Sequence, residues 1–341
     1  MPVQPNAALN PTFLDYLQAL GPDDTVTNIG EVLTETNGML QDMTFQEGNL
    51  LNGHRLALRT SLPSPTWRRF YQGVPDDKST RASITASTGT MEAYARVDKA
   101  LADLNRNAAA FRMQEDRGFI EGMTQTAARY FVYGDEAIEP QAFTGFAPHY
   151  NTRTGNIAES VLHGGGSGTD NASIWLIGYA LDKIYGIVPK GSQAGLQMKD
   201  LGEQTIQALN DDGTTVGSMQ AYVTHYKWEM GLVVQDYRYA VRICNIDRSL
   251  LGPDPTITGY TGANLPDLMF QAIELLPSLD NCRPVFYMDR TILTMFRRQM
   301  PNVIKNSTMQ LSDVGGRRLF DFQGIPIVRH DQLRVDEATV V

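Results

Sequence analysis

The segment His163-Gly164-Gly165-Gly166 comes nearest to a catalytic signature, because glycines after a histidine form the oxyanion-hole loop of some esterases. That chemistry also needs a nucleophile elbow, Gly-x-Ser-x-Gly, on a strand-to-helix turn, and the sequence has none. Gly-x-Gly recurs here, but Gly-x-Gly-x-x-Gly is absent and no strand leads into it. The pattern therefore predicts a flexible connection.

Phosphate and calcium loops are not favoured by residue order or spacing. Pro189-Lys190-Gly191-Ser192 holds the residues of a phosphate loop in the wrong order, so Lys190 is expected to be a turn or interface residue. Asp211-Asp212-Gly213 is too short for a calcium loop. Asp236 and Asp247 are expected to pair with nearby arginines such as Arg238 and Arg242, as structural pairs and not as acid–base catalysts.

Histidines and cysteines do not form a metal-binding pattern. No pair of histidines has the i, i+4 spacing of a helical metal site, and no Cys-x-x-Cys exists. The five histidines are His54, His149, His163, His225 and His330, and the two cysteines are Cys244 and Cys282. We therefore predict that the protein is not an enzyme and has no catalytic residue, cofactor or metal site.

Composition describes an ordinary soluble protein of two or more domains, with 341 residues, 42% of them hydrophobic and 20% charged. Two cysteines are too few for a disulfide framework and indicate a reducing compartment. No apolar run approaches the ~20 residues that span a bilayer, and the N-terminus lacks the features of a signal peptide. A formal charge of −9 argues against gripping nucleic acid, but not against an acidic wall that contains it.

The first part of the chain predicts two extended segments. Residues 1–50 are polar and rich in breakers, with too few apolar side chains for a core, so we expect neighbouring chains to order them through Phe13, Leu14 and Leu17. Residues 51–88 read as two strands, HRLALRTS and TWRRFYQG, around Leu62-Pro63-Ser64-Pro65. This hairpin is basic in an acidic protein, and is either solvated or lies on an acidic neighbour. Its basic residues are Arg55, Arg59, Arg68, Arg69, Lys78 and Arg81.

Periodicity predicts the remaining elements. Residues 91–133 read as a helix of roughly 60 Å that is capped by Thr90 and stopped by Gly134. The other predicted elements are a loop from Glu136 to Asn171, a helix over Ser173–Tyr185, strands over Thr205–Leu209 and Thr214–Tyr226, one long strand from Leu232 to Ile246, helices over Leu265–Leu276 and Thr291–Met300, a strand over Pro284–Met288, and a last hairpin, FDFQG-IPIVRH.

Several motifs, in their order along residues 140–341, resemble one family of major capsid proteins of tailed bacteriophages. These motifs are FTGFAPHYN from Phe143, SIWLI from Ser173, IVPKGS from Ile187 with Gly195-Leu196, WEMGLVVQDYRYAVRICNID from Trp228, FYMDRT from Phe286 and FQGIPI from Phe322. The resemblance implies an α+β Hong Kong 97-type fold. Because the long strands precede the final helices and hairpin, the permuted variant of that fold is expected.

The resemblance also implies a division of the chain into parts. It assigns residues 1–50 to an N-terminal arm, 51–88 to an extended loop, 89–150 and 214–250 to a peripheral domain with a spine helix, and 151–213 and 251–341 to an axial domain. Some relatives cross-link through a loop lysine and an asparagine. Lys78 is the only lysine of the loop, and nothing in the sequence assigns it that role.

The implied function is a shell of hexamers and pentamers that encloses double-stranded DNA without reading its sequence, assembled in the bacterial host cytoplasm and located in the virion. A portal protein and a decoration protein are implied partners, and no membrane is involved. Only about 50 residues precede the loop, so we expect a separate scaffolding protein and not a fused one. An encapsulin-like compartment with protein cargo, and a soluble hydrolase using the His163 loop, are the alternatives.

Overall fold

A computed structural model describes residues 35, 37–104, 108–155, 157–192, 194–209, 215–253, 262–303, 309–314 and 317–341. The arm residues Phe13, Leu14 and Leu17 and the predicted turn at residues 210–213 lie outside these ranges. No helix among the described residues is long and apolar enough to cross a membrane.

The described strands, in chain order, are β1 (Phe45–Glu47), β2 (Gly53–Arg59), β3 (Arg81–Asp98), β4 (Val161–His163), β5 (Asn171–Tyr179), β6 (Ile184–Val188), β7 (Gln197–Leu209), β8 (Thr215–Val234), β9 (Ala240–Asp247), β10 (Arg283–Met288), β11 (Met309–Val314), β12 (Arg317–Phe322) and β13 (Ile325–Arg329). The α-helices are Met39–Asp42, Lys99–Ala102, Ala108–Tyr133, Phe146–His149, Leu265–Leu275 and Arg290–Val303, with 3-10 turns at Ala158–Ser160 and Tyr237–Tyr239.

These strands form two sheets. One runs in the order β1-β6-β8-β3-β2, with β7 also paired to β8, and the other in the order β11-β12-β13-β10-β5-β9-β4. The chain divides into two compact units, and β3, β8 and the helix Ala108–Tyr133 contribute residues to both. Among the described residues, the first unit contains Glu35 and those of Thr90–Ala127 and Gly195–Glu229, and the second contains those of Thr36–Gly89, Ala128–Ala194 and Met230–Val341.

In the first unit, the helix Ala108–Tyr133 packs on strand residues and on the short helix Lys99–Ala102 through small apolar clusters. One cluster joins Val97, Leu101 and Phe111, and another joins Ala95, Met123 and Tyr226. The burial alternates along β3, so that alternate side chains from Met91 to Val97 face the helix.

In the second unit, the seven-stranded sheet is covered on both faces, because every residue of β5 and β9 is buried. Ile174 and Ile243 belong to one large cluster with the helices Leu265–Leu275 and Arg290–Val303. On the other face, the ring of Trp175 lies 5.9 Å from that of Phe146 and 5.8 Å from that of Tyr150, between ring centroids.

A buried ion pair ties the C-terminal segment to this sheet. Arg242 Nη2 lies 2.9 Å from Glu337 Oε2, and both side chains are 5% exposed. The guanidinium also donates to Ser173 Oγ at 3.1 Å and to the carbonyl of Tyr150 at 2.9 Å. The carboxylate accepts hydrogen bonds from Ser173 Oγ and from the hydroxyl of Tyr133. Each charge is therefore neutralised and hydrogen-bonded.

The helix predicted from Met91 begins only at Ala108, since residues up to Asp98 belong to β3. The spacing of Met91, Tyr94 and Val97 fits a helix, but the structure uses the alternation of the same segment and leaves Tyr94 exposed. The helix ends at Tyr133, as expected, but Gly134 does not have a positive φ. A Cβ at Gly134 would lie 2.6 Å from the carbonyl oxygens of Phe143 and Tyr130, so close packing requires this glycine.

Two further predicted elements are wrong. The helix over Ser173–Tyr185 is β5 followed by a turn and the start of β6, because a strand buried on both faces carries apolar residues at helical as well as alternate spacing. The loop from Glu136 to Asn171 contains the short strand β4.

The single strand predicted from Leu232 to Ile246 is also wrong, because it is divided between the two sheets. The carboxylate of Asp236 accepts the backbone N–H of Arg238 at 3.2 Å and its Nε at 3.0 Å, which stabilises a 3-10 turn between β8 and β9. The predicted pairing of Asp236 with Arg238 is confirmed, whereas Arg242 pairs with Glu337 and not with an aspartate.

The elements predicted at 205–209, 214–226, 265–276, 284–288 and 291–300 and the final hairpin are confirmed in type, with longer strands at β7 and β8. The two long strands do precede the last helices and hairpin. The permuted topology inferred from that order stays a prediction.

Replacing Glu337 by alanine should destabilise the second unit by about 3–5 kcal/mol, because Arg242 would keep its charge without a counter-ion. Denaturant unfolding of unassembled subunits, followed by tryptophan fluorescence, measures this loss. The double variant Arg242→Met/Glu337→Leu is the control and should recover most of it. A loss below about 1 kcal/mol for the single variant would contradict a structural role for the pair.

Candidate functional site

The basic segment forms a hairpin whose second leg is β3. The register of β2 on β3 runs from Gly53 opposite Ser87 to Arg59 opposite Arg81. No strand forms at the predicted TWRRFYQG segment, which lies between Pro65 and Pro75, two residues that supply no backbone donors. Residues 60–80 are instead a loop, here called the hairpin loop.

Two contacts close the hairpin loop at its base. Thr60 N–H donates to the carbonyl of Thr80 at 2.9 Å, and the hydroxyl oxygens of these threonines lie 2.7 Å apart. Further out, the carboxylate of Asp77 accepts the N–H of Ser64 at 2.5 Å and that of Lys78 at 2.7 Å. These two donors lower the pKa of Asp77. The carboxylate therefore holds the two sides of the loop together while it is ionised.

The six basic residues all lie on this hairpin, and all are exposed. Arg59 and Arg81 are directly opposite each other, an arrangement that is unfavourable for like charges. Within the described ranges, none of the six forms an ion pair with an acidic residue of its own chain. The hairpin therefore presents uncompensated positive charge.

The hairpin loop also exposes large aromatic side chains. Trp67 is 99% exposed, Phe70 94% and Tyr71 105%, and they flank Arg68 and Arg69. Contiguous exposed apolar side chains of this size mark interaction sites in soluble proteins. The sequence interpretation identified the charges but missed these aromatics, which the alternation expected of a strand would have placed partly inward.

The first unit carries a groove whose apolar and acidic residues are complementary to the aromatic and basic residues of the hairpin loop. It has a volume of about 500 Å³ and a largely apolar lining that includes Met91, Phe119 and Met123, with Glu92 and Glu115 beside them. Gly118 and Gly122 form part of its floor, and a Cβ added at either would meet nothing within 4 Å. The i, i+4 spacing of these glycines is the signal for it in the sequence.

The family model of the major capsid protein GP7 matches residues 21–341. The chain belongs to this family of major capsid proteins. In a solved structure of bacteriophage Epsilon15, a chain with 30% sequence identity matches with a TM-score of 0.77, over 100% of both chains. The capsid protein therefore has the Hong Kong 97-type fold and forms a shell with further copies of itself.

More distant structures match part of the capsid protein. A chain from Microbacterium phage Oxtober96 has 11% identity and a TM-score of 0.43, over 68% of the capsid protein and 98% of its own length. An encapsulin from Synechococcus elongatus has 10% identity and a TM-score of 0.41, over 70% and 96%. These similarities are too low to support an encapsulin function. No curated protein matches the sequence.

The motifs tested for chemistry have structural positions in the capsid protein. His163 ends β4, and its Nδ1 lies 3.1 Å from Asn245 Nδ2. Burial and the charge of Arg153 lower the pKa of His163. Lys190 and Gly191 form a turn, as predicted, in which Ser192 N–H donates to the carbonyl of Pro189 at 3.0 Å. In the described part of the chain, no three or more histidine, cysteine or acidic residues cluster as metal ligands.

The contact between Asp77 and the two N–H groups should depend on pH. Because its pKa in the folded protein is lowered, the contact should be complete above the ordinary pKa of aspartate, about 4, and should disappear as the pH falls through the lowered value. The amide chemical shifts of Ser64 and Lys78, followed by NMR from pH 7 to pH 2, measure this change.

In Asp77→Asn the two amide shifts should vary little over that range. Asp76→Asn is the matched control, because it removes a neighbouring carboxylate and leaves the hydrogen bonds of Asp77 to Ser64 and Lys78, here called the clamp, in place. Identical titration of the Ser64 amide in the wild type and in Asp77→Asn would contradict the assignment of the clamp to this carboxylate.

Proposed function

We propose that the protein assembles into hexamers and pentamers that form an icosahedral shell around the double-stranded DNA of a tailed phage. Membership of the capsid-protein family supports this function, and a charge of −9 suits a wall that holds DNA without binding its sequence. The protein acts as a structural subunit and not as an enzyme. Assembly takes place in the host cytoplasm, with a separate scaffolding protein, a portal protein and a decoration protein as partners.

The parts of the chain take the roles that the family implies. Residues 1–50 are the arm, 51–88 the extended loop, 89–150 and 214–250 the peripheral domain, and 151–213 and 251–341 the axial domain. The helix Ala108–Tyr133, about 39 Å long at 1.5 Å per residue, is the spine helix.

The exposed hairpin loop is the observation that carries the proposal. In a single copy, Trp67, Phe70 and Tyr71 remain in water, although burying each in an interface would be favourable by about 1.5–3 kcal/mol. Arg68 and Arg69, which lie between Trp67 and Phe70 in the sequence, form no ion pair with an acidic residue in the described ranges. Contact with a neighbouring copy removes both costs.

The groove on the first unit fits such a contact. Its apolar lining suits aromatic side chains, and its bare floor at Gly118 and Gly122 lets a flat ring approach the helix backbone. Glu92 and Glu115 at its side complement arginines. We assign this groove as the surface on a neighbouring copy that receives the hairpin loop.

Charge reversal at Arg68 and Arg69 should therefore block or strongly weaken shell assembly while the subunit stays folded. Each exposed pair is worth at most ~1 kcal/mol, but every copy in a shell repeats it. Size-exclusion chromatography and negative-stain microscopy of the purified, co-expressed proteins, at low and high salt, measure assembly, and circular dichroism measures folding.

A matched control reverses Arg297 and Arg298, which are adjacent, exposed and outside the hairpin. This variant should assemble normally. Normal shells from the Arg68→Glu/Arg69→Glu variant at both salt concentrations would refute the role of the loop. DNA inside wild-type shells, as opposed to a protein cargo, would separate the capsid from an encapsulin.

The arm should become protected only on assembly, because Phe13, Leu14 and Leu17 are too few to form a core of their own. Hydrogen exchange with mass spectrometry should show fast exchange over residues 1–30 in free subunits and slow exchange in shells. Peptides from β5, which is buried within its own unit, serve as the control and should be equally protected in both states. Equal protection of the arm in both states would show that it folds on its own chain.

A further inference from the structure

The glycine-rich segment after β4 is packed tightly and is not the flexible connection expected from its composition. Gly164 N–H donates to the carbonyl of Cys244 and Gly166 N–H to that of Asn245, both at 2.8 Å. A Cβ at Gly166 would lie 2.8 Å from Asn171 Oδ1 and from the Cβ of Asp247. The glycines therefore allow the backbone to lie directly against oxygen-bearing side chains.

Two carboxylate oxygens converge beside Gly168. A Cβ built there would lie 2.8 Å from Asp247 Oδ2 and 3.2 Å from Asp170 Oδ1. The second oxygen of each group is already used, since Asp170 Oδ2 accepts the N–H of Ser249 at 3.1 Å and Asp247 Oδ1 accepts its hydroxyl at 2.7 Å. The two remaining oxygens thus face the same small space.

These carboxylates carry charge in a place where water screens it poorly. Asp247 is only 8% exposed, and Asp170 is partly buried. No arginine or lysine in the described ranges forms an ion pair with either. Two ionised carboxylates so placed repel each other unless a cation, or a proton that they share, lies between their oxygens.

A third oxygen points to the same ligand. Asn171 is 0% exposed and is the register partner of Asp247 between β5 and β9. Its Nδ2 donates to the carbonyl of Gly168 at 2.7 Å, and its Oδ1 lies beside Gly166, 2.8 Å from a Cβ built there. This buried Oδ1 accepts no hydrogen bond from the residues that the structure describes. A buried amide oxygen without a donor costs free energy, which a cation would remove.

We propose that Asp170, Asp247 and Asn171 bind a hard divalent cation, and that calcium binds more tightly than magnesium. All donors are oxygens, which excludes a preference for zinc or copper. Calcium accepts carboxylate, amide and backbone oxygens together with water in an irregular shell, whereas magnesium requires near-octahedral geometry. With only two carboxylates, the dissociation constant should be on the order of 10⁻⁴ to 10⁻³ M. The ion would join the glycine segment to the end of β9.

Isothermal titration of calcium chloride into the purified subunit should show one site per chain. The Tm measured by calorimetry should be higher in 5 mM calcium than in EDTA. Asp170→Asn and Asp247→Asn should each weaken binding at least tenfold. Both variants keep an oxygen that can accept the Ser249 hydrogen bonds, and their circular dichroism in EDTA verifies folding. Gly168→Ala should also weaken binding, because its Cβ would occupy the space between the two oxygens.

Asp182→Asn is the control, since Asp182 is an exposed acid of the same unit. It should bind calcium as the wild type does. No calcium response in the wild type would overturn the proposal. Equal affinity in Asp170→Asn, Asp247→Asn and the wild type would also overturn it.

Discussion

Arg242 and Glu337 bring two opposite charges into the interior of the second unit, where neither could remain without the other. The pair joins parts of the chain that are far apart in sequence. Ser173 of β5 and Tyr133 at the end of the long helix contact the carboxylate, and the carbonyl of Tyr150 accepts from the guanidinium. Burial, followed by the charge of Glu337, raises the pKa of Tyr133 far above its ordinary value, so the phenol stays a donor. A buried pair of this kind adds little net stability, but it requires all these segments to be in one position at the same time. The C-terminal segment is therefore part of the fold of this unit.

The hairpin loop has the opposite character. Arg242 and Glu337 neutralise each other inside the second unit, whereas the hairpin loop leaves three aromatic rings and two arginines in water. A local clamp through Asp77 fixes the shape of the loop without covering these groups. Because the loop already has a defined shape, less conformational entropy is lost when a partner binds its exposed side chains. Exposed apolar side chains of this size promote aggregation of a monomer, whereas in a shell of many copies they can be buried between neighbouring copies.

Sequence patterns predicted this protein well where one physical signal dominated. The helices at 265–276 and 291–300 carry one apolar stripe each, and the resemblance of motifs identified the capsid fold. Prediction failed where two signals coincide. Residues 91–98 and 173–179 have apolar side chains at both helical and alternate spacing, and only the strands with which they pair decide the outcome. The break at Asp236 depends on a side-chain cap that alternation does not reveal. At the candidate site, the concentration of basic residues in the sequence was enough to identify the hairpin. The exposure of Trp67 and Phe70 could not be predicted in the same way, because it is a property of the folded loop.

Several aspartates of this protein accept hydrogen bonds from backbone N–H groups. Asp77, Asp98, Asp236 and Asp247 each accept backbone N–H groups where a strand or loop changes direction. Such caps fix turns, and the backbone hydrogen bonds to Asp77 lower the pKa of its carboxyl group. Against this background, the arginines of the hairpin form a local positive surface on a negative molecule. The proposed contact between the hairpin loop of one copy and the apolar groove of the next is head-to-tail, so it would use two different surfaces of each copy. Repeated contacts of that type close into rings when the rotation between copies is right, and rings are the units from which a closed shell is made.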